Sequence, residues 1–129
     1  KLLYDLNRAG TTVVISSPYM DEAERASHFA LMSKGRLIAH GIPADERRYF
    51  KYAVYTLSTE SARAVKELLC KRNAFRSVNL FGNSVHIVTE KSFKAENVKT
   101  VLESEQLESA SLQQIVPTFE DIYIALSAG

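Results

Sequence analysis

Leu2, Leu3, Leu6 and Ala9 recur at the spacing of one helical face, and Gly10 is the residue type that closes a helix in the left-handed conformation. The run Thr11-Thr-Val-Val-Ile-Ser-Ser17 follows, with consecutive β-branched apolar residues and no alternation. That is the pattern of a strand covered on both faces in a parallel sheet. Pro18-Tyr19-Met20 interrupts it, and Asp21-Glu-Ala-Glu-Arg25 opens a second helix predicted to run to about His28, its acidic first turn matched to the helix dipole. Phe29–Met32 and Arg36–Ala39 read as short strands joined through Ser33-Lys34-Gly35. Gly41-Ile42-Pro43 ends this unit, and Ala44–Phe50 is a charged helical turn or linker.

From Tyr52 the periodicity changes. Tyr52–Ser58 alternates as a strand, and Glu60–Arg72 is helical, with Ala62, Val65, Leu68 and Leu69 inward. Arg76–Phe81 and Ser84–Thr89 flank Gly82-Asn83, a hairpin signal. A helix over Ala95–Glu105 points Ala95, Val98, Val101 and Leu102 inward, and Leu112–Val116 forms a fourth strand. Pro117-Thr118 starts a last helix through Leu126, with Thr118 as N-cap ahead of Glu120 and Asp121. The order β-α-β-β-α-β is that of the ferredoxin-like split motif, here with a trailing helix. The expected fold class is therefore an α/β fragment over residues 1–48, followed by an α+β ferredoxin-like domain over residues 49–129.

Composition narrows the function. The chain has 129 residues, 46% hydrophobic and 24% charged, with a net charge of +1, and neither half is basic. No broad positive field is present for nucleic acid or an anionic membrane, and no apolar run approaches the ~20 residues of a spanning helix. The single cysteine, Cys70, excludes an internal disulfide and a Cys-based metal site, and its helical position reads as inert packing. There is no initiating Met and the chain opens as though inside a helix, so it is expected to be a piece of something longer.

The catalytic inventory is thin. There is no glycine-rich phosphate loop, nucleophile elbow or pair of histidines at helical spacing. His28 and His40 read as solvated or capping residues, and His86 as a half-exposed sheet residue opposite Val85 and Ile87. Asp21, Glu22 and Glu24 could ligate a hard cation, but dipole complementarity at a helix start accounts for them. Arg47-Arg48 beside Tyr49-Phe50 reads as a solvated linker anchored by two aromatics.

The segment Thr11–Arg25, continued by Ala30-Leu-Met-Ser-Lys-Gly-Arg-Leu-Ile-Ala-His-Gly-Ile-Pro43, resembles the carboxyl end of ABC-transporter ATPase domains. In that pattern a buried strand ends in Ser-Thr/Ser-His, followed by an aromatic or Leu, Met-Asp/Glu-Glu-Ala/Val-Glu, Ala-Leu/Ile-Met, a Gly turn and Gly-Thr-Pro. Pro117-Thr-Phe-Glu-Asp-Ile-Tyr-Ile-Ala-Leu126 is similar to the Pro-Ser-Leu-Glu-Asp-Val-Phe pattern of drug- and polyketide-type exporters. The permease of such exporters is commonly a separate polypeptide, and the ATPase carries a small carboxyl-terminal α/β domain. The resemblance thus implies a cytoplasmic ATP-binding subunit held peripherally at the membrane by a permease and paired with a second ATP-binding domain. ATP and Mg would be cofactors of the longer parent only.

The resemblance also implies what is missing. The phosphate loop, signature and acidic strand lie outside residues 1–129, so this chain is not expected to hydrolyse ATP or to hold any catalytic residue or metal ligand. Ser17 and Pro18 fall near the nucleotide γ-phosphate in the parent, and Pro18 stands where the family has its switch His. Proline offers neither a side-chain donor nor an N–H, which implies slow hydrolysis at that site. Residues 1–43, severed from parallel neighbours, are expected to rearrange or to be buried in a homodimer. Docking against partner subunits is the expected role of the second unit. The alternative is ligand sensing by a ferredoxin-like regulatory domain.

Overall fold

The structure, a computed structural model, describes residues 1–105 and 111–128. Twelve elements follow one another: α1 (Leu2–Arg8), α2 (Met20–Glu24), β1 (Phe29–Ser33), β2 (Arg36–Gly41), α3 (Pro43–Tyr49), β3 (Tyr52–Ser58), α4 (Ala62–Cys70), β4 (Ser77–Phe81), β5 (Ser84–Glu90), α5 (Ala95–Ser104), β6 (Ser111–Ile115) and α6 (Phe119–Ser127). They form a small α/β fold with two antiparallel sheets. One is the β1-β2 hairpin, and the other has four strands in the order β4-β5-β3-β6.

The two hairpins form where the turn chemistry allows it. Gly35 and Gly82 take φ of +74° and +58°, which an L side chain rarely adopts. β4 and β5 close in register from Phe81 opposite Ser84 to Ser77 opposite Val88. β3 occupies the centre, paired with β5 from Tyr52 to Ser58 and with β6 from Val54 to Ser58.

β3 does not alternate between buried and exposed positions; Tyr52–Tyr55 and Leu57 are all buried. Ala53, Tyr55 and Leu57 pack with Val85 and Ile87 beneath α4 and α5, through Val65, Leu69, Val98 and Leu102. Tyr52, Val54 and Val88 pack on the other face with Phe119, Ile122 and Ala125 of α6 and with Phe29 and Leu31 of β1. The last helix and the first hairpin thus cover a face that alternation alone would leave to water. Phe29 meets Phe119 edge to face, with ring centroids 4.8 Å apart.

Residues 11–17 form no strand, and no parallel pairing exists among the described residues. A strand stacked between two parallel neighbours cannot form without them, because its N–H and C=O groups would have no partners. Val14 is 90% exposed and Ile15 59%. α1 likewise buries no residue, and Leu2 is 71% exposed. The second helix also ends sooner than its charge pattern suggests, at Glu24 rather than His28.

Candidate functional site

Pro18 lies at the mouth of an open cleft of about 610 Å³ between the chain entering α2 and the N-terminal half of α6. Tyr19, Met20, Asp21 and Glu24 form one wall, Thr118, Glu120, Tyr123 and Ile124 the other, and Phe81 reaches in from the β4-β5 turn. Ser17 turns back on its own chain, its Oγ accepting a hydrogen bond from the Tyr19 N–H at 3.1 Å. Of the two residues singled out from the sequence, only Pro18 lines the cleft.

The lining carries three carboxylates, Asp21, Glu24 and Glu120, and no cation. Phosphate binding needs converging N–H donors or positive charge, and proline supplies neither. No group of three or more His, Cys, Asp or Glu is placed to hold a metal ion among the described residues. Among the lining side chains, none offers positive charge to a phosphate.

Beneath this cleft is a polar network that periodicity does not reveal. Glu24 Oε1 accepts the N–H of Phe119 at 3.0 Å, capping the first turn of a helix 95 residues away, and Oε2 accepts from Arg47 Nη1 at 3.5 Å. The acidic residue assigned to the start of its own helix stands at the end of α2 and serves α6 instead. Within α6, Thr118 Oγ1 accepts the Asp121 N–H at 3.1 Å, and the Thr118 N–H and hydroxyl donate to Asp121 Oδ2 at 3.0 and 2.8 Å.

His86 completes the network. Its Nδ1 is 3.0 Å from Asp121 Oδ1 and 3.2 Å from Oδ2; a carboxylate only accepts, so Nδ1 carries the hydrogen. Phe81 stacks on the imidazole with centroids 4.0 Å apart. His86 is buried, not half-exposed, because α6 covers its face of the sheet. Asp121 is 1% exposed, and its carboxylate receives three donors from two elements. The spacing Thr118-x-x-Asp121 was the available signal for the capping half of this arrangement. Nothing in local sequence pairs Asp121 with a histidine 35 positions earlier.

Of the other candidates, His28 and His40 are exposed. Cys70 is exposed at the end of α4, its Sγ 3.9 Å from the Val78 carbonyl oxygen, so it is not part of the packing. Phe50 is buried and anchors the end of α3, whereas Tyr49 is 73% exposed and anchors nothing. No helix among the described residues is long and apolar enough to cross a membrane.

No family profile matches the chain, and no solved structure matches it. Over its full length the chain is similar to two curated proteins, each named "Probable multidrug ABC transporter ATP-binding protein YbhF", from Escherichia coli (strain K12) and Shigella flexneri. Identity is 21% over 131 aligned residues in both cases, covering 100% of this chain and 22% of the relative. The chain thus spans about a fifth of the length of these relatives. The likeness supports an origin related to ABC-transporter ATP-binding proteins.

Proposed function

We propose that the chain is the carboxyl-terminal part of an ATP-binding subunit of an ABC exporter. The observation that carries this reading is similarity along the whole chain to proteins bearing that name, at 21% identity with 100% of this chain aligned. Residues 1–48 are then the end of the ATPase domain and residues 49–129 an accessory domain. The exposure of Val14 and Ile15 accords with this, since a strand suited to a parallel sheet belongs between neighbours that a longer parent would supply. The ferredoxin-like reading of residues 49–129 is supported by the strand order: renumbering β3 to β6 as the first to fourth strands gives 4-1-3-2, antiparallel throughout.

The parent's partners in this proposal are a transmembrane permease and a second ATP-binding domain, and ATP and Mg bind through residues outside this chain. The chain's own contribution next to the nucleotide is Pro18. With no hydrogen-bond donor there, that site binds ATP and turns it over slowly. The test is ATP hydrolysis by the full-length subunit assembled with its permease, comparing Pro18 with Pro18→His. A faster single-site rate in the variant is expected; an unchanged rate overturns the slow-site reading. A coding sequence upstream of Lys1 without Gly-x-x-x-x-Gly-Lys-Ser/Thr and Leu-Ser-Gly-Gly overturns the assignment to an ATP-binding subunit.

A further inference from the structure

β3 is longer than the strand beside it. Tyr52 and Ala53 pair with Glu90 and Thr89 of β5, but β6 stops at Ile115 opposite Val54, so this end of β3 has no ladder partner on its outer side, where the chain leaves the sheet through Val116 and Pro117. In an antiparallel ladder successive residues direct their N–H and C=O to opposite neighbours, so one of these two points both groups outward. Neither makes a backbone hydrogen bond outside the ladder among the described residues.

This notch is the floor of a second open cleft, of about 610 Å³, on the edge of the sheet. Phe50, Val54, Ile115 and Val116 give it an apolar floor and rim, with Val116 72% exposed. Arg47, Arg48 and Lys91 give it its charge, and no carboxylate lines it. Arg47 is engaged with Glu24. Arg48 and Lys91 are exposed and enter no ion pair among the described residues. The cleft at Pro18, lined by carboxylates and no cation, has the opposite sign.

We propose that the notch beside Tyr52 and Ala53 is a docking site for an extended, carboxylate-bearing peptide segment of a partner protein. The segment adds to the free edge of β3 in line with β6, exchanging main-chain hydrogen bonds. Alternate side chains reach the apolar floor, and carboxylates meet Arg48 and Lys91. Main-chain pairing and charge complementarity act together here, which neither a small anion nor an apolar surface would exploit.

The test titrates the chain calorimetrically with an acetylated, amidated Glu-Val-Asp-Val-Glu peptide, for which a Kd on the order of 0.1 mM is expected from a short edge pairing with two or three charge contacts. Three changes should each weaken binding by about tenfold or more: Arg48→Glu with Lys91→Glu, N-methylation of alternate peptide amides, and replacement of the peptide acids by Lys. Both substituted residues are exposed, and an unchanged thermal melt of the double variant shows that the fold is intact. Absence of binding overturns the proposal, as does equal binding of the N-methylated peptide. It is also overturned if inorganic phosphate displaces the peptide at equal concentration, or if sedimentation shows two copies of the chain joined through this edge.

Discussion

Two stretches of this chain have nearly the same apolar character and opposite fates. Thr12-Val-Val-Ile15 leaves Val14 and Ile15 in water, whereas Tyr52–Leu57 places Val54 and Leu57 at 1% and 0% exposure. The intrinsic preference for extended backbone is comparable in both, since both are rich in β-branched or aromatic residues. What differs is the supply of neighbours. β3 receives β5 and β6 from its own chain, through helical crossovers and the β4-β5 hairpin, while residues 12–15 pair with no strand among the described residues. A run of β-branched residues therefore records the environment a segment is suited to, and only the topology decides whether that environment exists.

The contrast breaks most sharply at Phe119. Its ring is fully buried and joins the β1-β2 hairpin to the sheet through Phe29. Phe119→Ala should cost about 3–5 kcal/mol, a large share of the 5–15 kcal/mol that holds a domain of this size together. Urea unfolding followed by circular dichroism checks this. A loss below about 1 kcal/mol would mean that the hairpin and α6 contribute little to the fold.

A smaller loss is expected from the polar half of the same interface. Asp121→Ala leaves His86 Nδ1 and the Thr118 N–H and hydroxyl without their acceptor, at a cost of about 2–4 kcal/mol. Asp121→Asn keeps one acceptor oxygen and should lose roughly half as much. Equal losses would show that charge, rather than the count of accepted hydrogen bonds, sets the contribution of Asp121. Hydrogen exchange at the Phe119 and Asp121 amides reports whether the start of α6 opens first in these variants.

The elements that were legible in the sequence are those whose causes are local. Gly82-Asn83 and the Gly35 turn specify their hairpins through backbone conformation, and Thr118 caps α6 through a hydrogen bond three residues long. Ala62, Val65 and Leu69, with Val98 and Leu102, face the core at the spacing that a helix imposes. What escaped the sequence depends on long-range placement. That α6 covers His86, that Glu24 caps a helix 95 residues away, and that β6 ends two residues short of β3 are consequences of packing and register. The Pro18 cleft was legible only along its first wall, in Pro18, Asp21 and Glu24, since its second wall comes from α6.

The smallest effect tests the comparison from its exposed side. Ile15 contacts neither core cluster, so Ile15→Ser in this chain should change stability by no more than about 0.5 kcal/mol, within the range of ordinary surface substitutions. In a longer parent that supplies parallel neighbours, the same substitution would place a hydroxyl where a fully buried Ile contributes about 1.5–3 kcal/mol, and unfolding of that domain should register the difference. Thermal melts of both forms, each with and without the substitution, separate the two situations. A large loss in the short chain would mean that residues 11–17 already pack against something in it, and the contrast between the two apolar stretches would fail.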